Sequence, residues 1–319
     1  MTIQFKLKTG GRGIEWCDET RNVFGGCHHR CRWTMPDGTE AICYAEDVAN
    51  GLAQASYPHG FEHHYYRSHN LKKLTAGTEP TLLFMDSMSD MFGHWVPEQQ
   101  LLAVLSKMGE APHHAYQGLT KAPGRILKFL GSLPSNLWVG VSSAPDFFMG
   151  KPMVASQQEA YMRKAISVLK RVKEDSGNLT WMSLEPVSWD MAHLFTEMEH
   201  DLDWVVIGAA SNGPKYFQPD PDHVARLLDV FDAVGTPVFF KGNLKPLLKE
   251  NPNLGRFRED FPGYYMGISG APIPAVWRRQ EMCREHGWPL NTHLPANASL
   301  EDIHVDLAVE ANAGQMSLL

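Results

Sequence analysis

The sequence predicts an α/β protein built on a parallel sheet, closed wholly or in part into a TIM-like (β/α) barrel. Three observations predict it. Short apolar runs alternate with helix-like stretches between residues 81 and 240. The runs are apolar on both faces, as strands covered on two sides must be. Each run also ends in polar residues, where a parallel barrel carries its functional groups.

The runs are Thr81–Met85, His114–Leu119, Leu137–Val141, Leu179–Leu184, Asp203–Ile207 and Pro237–Phe240. Helices are expected between them at 97–108, 122–131, 157–173, 190–199 and 221–234. A first strand must precede the cysteine-rich loop at 22–46, and Arg12–Cys17 is the candidate. About seven strands favour a partial or full barrel over a doubly wound sheet. Residues 44–55 read as helical, and 56–75, with His59, His63, His64 and His69, as an irregular insertion. The barrel then occupies 1–242. Residues 243–319 form an extension rich in Pro and Gly, with 297–319 as a peripheral tail.

At 319 residues, 43% hydrophobic and 20% charged, the chain suits one large globular domain or two small ones. Its net charge of −7 argues against a generally basic, nucleic-acid-binding surface but leaves room for a local basic groove. No membrane span is expected, because no run of eighteen apolar residues occurs. The N-terminus lacks the apolar core of a secretory signal, so a cytoplasmic location is expected.

Of five cysteines, Cys27, Cys31 and Cys43 crowd into one segment. An odd, clustered set is a poor disulfide framework and in a reducing compartment points to metal. Three thiolates leave one corner of a metal centre open for chemistry. Cys17 as a fourth ligand would close a zinc site and make a non-enzymatic interaction protein instead. His28 and His29 are ligands, hydrogen-bond donors to the centre, or an exposed loop pair; Cys283 reads as a free thiol.

The strand ends carry Asp86-Ser87-Met88-Ser89-Asp90, Thr120-Lys121, Ser142-Ser143, Glu185-Pro186, Gly208 to Gly213 and Lys241-Gly242. Each alone is what a solvent-facing end shows; together they describe one polar mouth.

These words resemble the radical S-adenosylmethionine (radical SAM) enzymes, and more narrowly a phage-associated three-cysteine family of uncharacterised proteins related to them. The matching stretches are Gly13-Ile-Glu-Trp16, the Cys27 to Cys43-Tyr-Ala-Glu46 block, Phe84 to Phe92, Leu119-Thr-Lys121, Asn136 to Ser142, Ser183-Leu-Glu-Pro186, Asp203 to Gly208 and Phe239-Phe-Lys241. Two departures stand out. The cysteine gaps are three and eleven residues, not three and two, so 32–42 must bulge to return Cys43. The family's Gly-Gly-Glu-Ser stretch is here Gly208-Ala-Ala-Ser211, without its carboxylate.

The resemblance implies a [4Fe–4S] cluster on Cys27, Cys31 and Cys43, S-adenosylmethionine as cofactor, and a flavodoxin- or ferredoxin-type electron donor. It implies that Tyr44 packs beside the cluster or the adenine. Asp86, Ser87 and Asp90 stand where the superfamily contacts the methionine amino group, and Ser142 where ribose is held. Glu185 is a ribose or substrate candidate. Lys121 and Lys241 would bind the methionine carboxylate or an anionic substrate, or form strand-end ion pairs with Asp86 or Glu185. Two substrate classes stay open. One is a modified base in phage DNA. The other is a small metabolite or peptide, with 56–75 closing the mouth. Loop 32–42 is a lid, a substrate clamp or a passive surface loop. The terminal Gln315–Leu319 resembles the short peptide by which bacterial DNA-processing proteins grip the sliding clamp.

Overall fold

The computed structural model describes residues 14–262, except 36, 79–80 and 213–214. Its principal sheet has seven parallel strands: β1 (Glu19–Arg21), β2 (Leu82–Met85), β3 (Ala115–Thr120), β4 (Leu137–Ser142), β5 (Thr180–Leu184), β6 (Trp204–Ile207) and β7 (Val238–Phe240). They lie side by side in chain order, with no reversal. A doubly wound sheet reverses its order at a switch point, whereas unbroken order winds the connections one way, as in a barrel. β1 and β7 are the two edges, so the barrel is open.

Side-chain alternation divides the sheet into two faces. Leu83, Met85, Tyr116, Val139, Met182, Leu184, Val205, Ile207 and Phe240 point to the outer face and join a core with the helices. After α1 (Tyr44–Asn50), which lies near the cysteines, those helices include α2 (Glu98–Gly109), α3 (Pro123–Ile126), α4 (Ala155–Ser176), α5 (Ala192–Glu197) and α6 (Pro221–Ala233). On α4 the buried residues Met162, Ala165, Ile166, Leu169 and Val172 recur at helical spacing, and Gly177 ends the helix in the left-handed conformation. The opposite, concave face buries Leu82, Phe84, Trp138, Trp181, Trp204, Val206 and Phe239, and among the described residues no helical one joins this core. Gly140 has no side chain because the Trp181 indole occupies that space. Each buried tryptophan removes roughly 200 Å² from water, on the order of 5 kcal/mol before entropy.

The observed helices and strands fall within a few residues of the expected ones, with one correction. The first strand is Glu19–Arg21, not Arg12–Cys17. Trp16 and Cys17 instead turn into the concave core, and the Trp16 carbonyl accepts from Gln117 Nε2 at 3.3 Å. Burial of large apolar surface outweighs the extended pairing expected there. At the other edge, residues read as the start of the extension pack on the barrel: Glu259 bridges Phe239, and Phe261 stacks on Trp204. Residues 263–319, including Cys283 and Gln315–Leu319, lie outside the described residues. No helix among the described residues is long and apolar enough to cross a membrane.

A candidate metal site at the mouth of the half-barrel

The loop that carries the cysteines follows β1, at the C-terminal end of the sheet. Cys27 and Cys31 sit on this loop, and the eleven residues after Cys31 form a β-hairpin. Its strands are Arg32–Thr34 and Glu40–Ile42, with Arg32 opposite Ile42. Cys31 and Cys43 therefore flank the open end of the hairpin. The ladder returns the third cysteine to the second, so a long gap serves where a short one would. Arg32 locks the foot of the hairpin through two 2.7 Å bonds to Glu46 in α1 (Tyr44–Asn50). The hairpin also joins Phe147–Phe148 and Lys151–Pro152 in a four-stranded antiparallel sheet beside the mouth.

Cys27 feels the charge of both other sulfurs, and Cys31 that of Cys43. Burial, the nearby Asp90 carboxylate and the other two sulfurs hold the Cys27 thiol well above its usual range. Burial pushes Cys31 up to about 12, against the pull of the Lys121 ammonium. Such thiols are deprotonated when a cation supplies the countercharge. Three soft sulfur donors suit an iron–sulfur centre in type. Among the described residues no three His, Cys, Asp or Glu side chains, the three cysteines included, stand together as a group that could hold a metal ion. Cys17 stands apart: its Sγ donates to the Ile14 carbonyl, and burial raises its pKa to about 12 with Asp18, not the other cysteines, as the next cause.

The Asp86–Asp90 segment does something the sequence did not disclose. It runs along the cysteine loop and bonds to it repeatedly. Asn22 Oδ1 accepts from Ser87 Oγ and the Met88 N–H, both at 3.2 Å. Asp86 Oδ1 accepts from the N–H groups of Val23 and Phe24 at 2.8 and 2.7 Å. The Gly26 N–H donates to the Met88 carbonyl at 3.0 Å, and Ser89 Oγ to the Gly26 carbonyl at 2.6 Å. Asp90 Oδ2 meets His29 Nε2 at 2.7 Å, Thr120 Oγ at 2.9 Å and the Lys121 N–H at 2.8 Å; Oδ1 accepts from the Phe92 N–H. Burial alone would raise Asp90, but the His29 bond and charge and the other donors bring it below the ordinary carboxylate value. At Asp86 compensation is weaker: burial raises its pKa to about 7 against the Phe24 and Val23 N–H bonds and the Arg67 charge, and its Oδ2 is buried with no partner.

His29 is thus no exposed loop residue. It is 3% exposed, stacked on Phe148 and edge-on to Trp95. His28 stacks on Trp95, and burial lowers its pKa. Residues 56–75 back the cysteine loop: Tyr65–Tyr66 pair with Phe24–Gly25, and the Cys27 N–H donates to the Phe61 carbonyl at 2.9 Å. Gly26 lies so close under the His63 carbonyl that any side chain would collide, and its φ of +83° suits glycine alone.

The remaining expected residues divide. Glu185 and Lys241 form an ion pair on the concave side, with the ammonium 5.1 Å from the Trp16 ring centroid. A Cβ on Gly208 would lie 2.9 Å from Glu185, so the missing side chain admits that pair. Ser142 ends β4 almost buried, and its carbonyl accepts from the Tyr161 hydroxyl at 3.0 Å. Lys121 sets its ammonium 5.9 Å from the Trp33 ring of the hairpin. Tyr44 is 69% exposed at the start of α1.

Fold and site together define an open, parallel α/β half-barrel with a three-thiol loop at the C-terminal ends of its strands. The chain belongs to the family described as a protein of unknown function, DUF5131, whose model matches residues 11–249. No curated protein matches it. Among solved structures it is similar to a spore photoproduct lyase mutant with bound AdoMet and dinucleoside spore photoproduct, at 13% identity and a TM-score of 0.40. That match covers 67% of this chain, which spans 60% of the length of the lyase chain. Another mutant of that lyase matches at 12% identity and a TM-score of 0.44, covering 68% of this chain and 74% of the other. At these scores the likeness is remote.

Proposed function

We propose that the protein is a radical SAM enzyme, with Cys27, Cys31 and Cys43 holding a [4Fe–4S] cluster and leaving one iron for S-adenosylmethionine. The observation that carries this reading is the hairpin, which returns Cys43 beside Cys31 although eleven residues separate them. A second support is the placement of Cys17 in the concave core, outside the thiol group, which disfavours a closed four-thiolate zinc site.

When held by Cys27, Cys31 and Cys43, the cluster with S-adenosylmethionine would supply one-electron cleavage of the sulfonium C–S bond and, through it, hydrogen-atom abstraction from substrate. The chain's own work is placement and exclusion of water. Lys121 puts positive charge beside Cys31 and near any anionic group brought there. Trp95 and Phe148 pack on His28 and His29 within the thiol loop, and Trp33 faces the Lys121 ammonium from the hairpin. Glu185 and Lys241 present a charged pair on the concave side, able to hydrogen-bond a ribose or a polar substrate after exchanging partners.

For the substrate, a modified base in DNA is the reading we carry forward, with a small metabolite or peptide as the other class. The test is anaerobic reconstitution with iron and sulfide, followed by dithionite and S-adenosylmethionine. Release of 5′-deoxyadenosine and methionine is expected, slow without substrate. An intact cluster that yields neither product under strong reduction, with DNA or without it, contradicts the proposal.

A further inference from the structure

We propose that Asp86 and Asp90 are positioning residues that hold Cys27 in register with Cys31 and Cys43, rather than contacts for a ligand's ammonium group. The inference takes the three thiols as the ligand set proposed above, but the clamp is a property of the protein without metal.

The argument starts from where the bonds fall. Asp86 grips Val23 and Phe24 before Cys27, and Asp90 grips His29 after it. Between them, Met88 and Ser89 bond to both backbone groups of Gly26, the residue adjoining Cys27. Cys27 is thus fixed from β2 through this segment. Cys31 and Cys43 are fixed by another device, the hairpin and its Arg32–Glu46 foot. Two independent supports meet at the thiols.

The carboxylates are also unsuited to a ligand as they stand. Asp90 is 4% exposed and already receives four donors across both oxygens. A ligand ammonium would have to displace one of them. Asp86 is 2% exposed and adopts φ of +52°, a left-handed conformation costly for a residue with a side chain. That backbone turn lets its Oδ1 meet two adjacent N–H groups at once.

The two residues differ in a way that makes the inference testable. Asp86 uses one oxygen for the clamp, so asparagine can keep both bonds. Asp90 uses both oxygens, so asparagine must set an NH₂ against N–H or O–H donors. The experiment treats full-length, metal-free protein with dibromobimane, a bifunctional thiol reagent, and maps linked cysteine pairs by peptide mass spectrometry. In the unsubstituted protein both Cys31–Cys43 and Cys27-containing links are expected. Asp86→Ala and Asp90→Asn should lower the Cys27-containing links roughly fivefold or more, the scale of one lost buried hydrogen bond. The Cys31–Cys43 link should stay unchanged, and Asp86→Asn should behave as the unsubstituted protein. Undiminished Cys27 links in Asp90→Asn overturn the proposal. So does Asp86→Asn as deficient as Asp86→Ala, or equal loss of the Cys31–Cys43 link, which would leave no separate grip on Cys27. No metal or cofactor enters this test, so a protein that never bound iron could still pass it.

Discussion

Asp86 shows how much one carboxyl can govern at the scale of a single residue. Burial without a partner for Oδ2 raises its pKa from 3.8 to about 7. The folded chain therefore keeps a proton that the unfolded chain gives up, and stability falls as pH rises. The protonated form's contribution is fully present below about pH 4 and is lost as pH passes about 7. Asp86→Asn is neutral throughout, so it should gain on the unsubstituted protein across that window, by on the order of 4 kcal/mol at most. Urea denaturation of both proteins at pH 5 and pH 8 measures it. A difference in stability that does not change with pH contradicts the assignment. His29 carries another lesson of this scale. Two histidines between two cysteines look like a solvated loop, and only the fold reveals that Asp90, sixty-one residues on, meets one of them in the interior.

The hairpin between Cys31 and Cys43 is the deciding element. The sequence leaves the loop open as a lid, a clamp or a passive excursion. The ladder adds another part for it, the placing of Cys43 beside Cys31. Replacing 33–40 by a short Gly/Ser link removes the pairing that sets Cys43 beside Cys31, so iron retention should fall well below that of the unsubstituted protein. Colorimetric iron after anaerobic reconstitution is the check, and full iron content would mean that the thiols find one another without the hairpin. The signal for this element was present in Arg32-Trp-Thr34, the turn residues Asp37-Gly38, and Glu40-Ala-Ile42. The part played by the Asp86–Asp90 segment is hidden: a strand end with two carboxylates looks like a ligand site, and loop-to-loop hydrogen bonds over some sixty residues leave no periodic trace in sequence.

At the scale of the molecule, the parallel half-barrel was legible because its strands are apolar on both faces and its helices keep a 3.6-residue period. The first strand was not, because Trp16 and Cys17 look extended yet serve to fill the concave core. That same placement separates Cys17 from the other three cysteines and supports the proposal that three thiols, and no fourth, hold the metal. The most direct test is iron and sulfide content after anaerobic reconstitution of Cys17→Ala, Cys27→Ala, Cys31→Ala and Cys43→Ala. A full, brown cluster is expected in Cys17→Ala, and loss of iron in each of the other three. Loss of metal from Cys17→Ala as complete as from Cys27→Ala, or a colourless protein that takes up zinc alone, would contradict it.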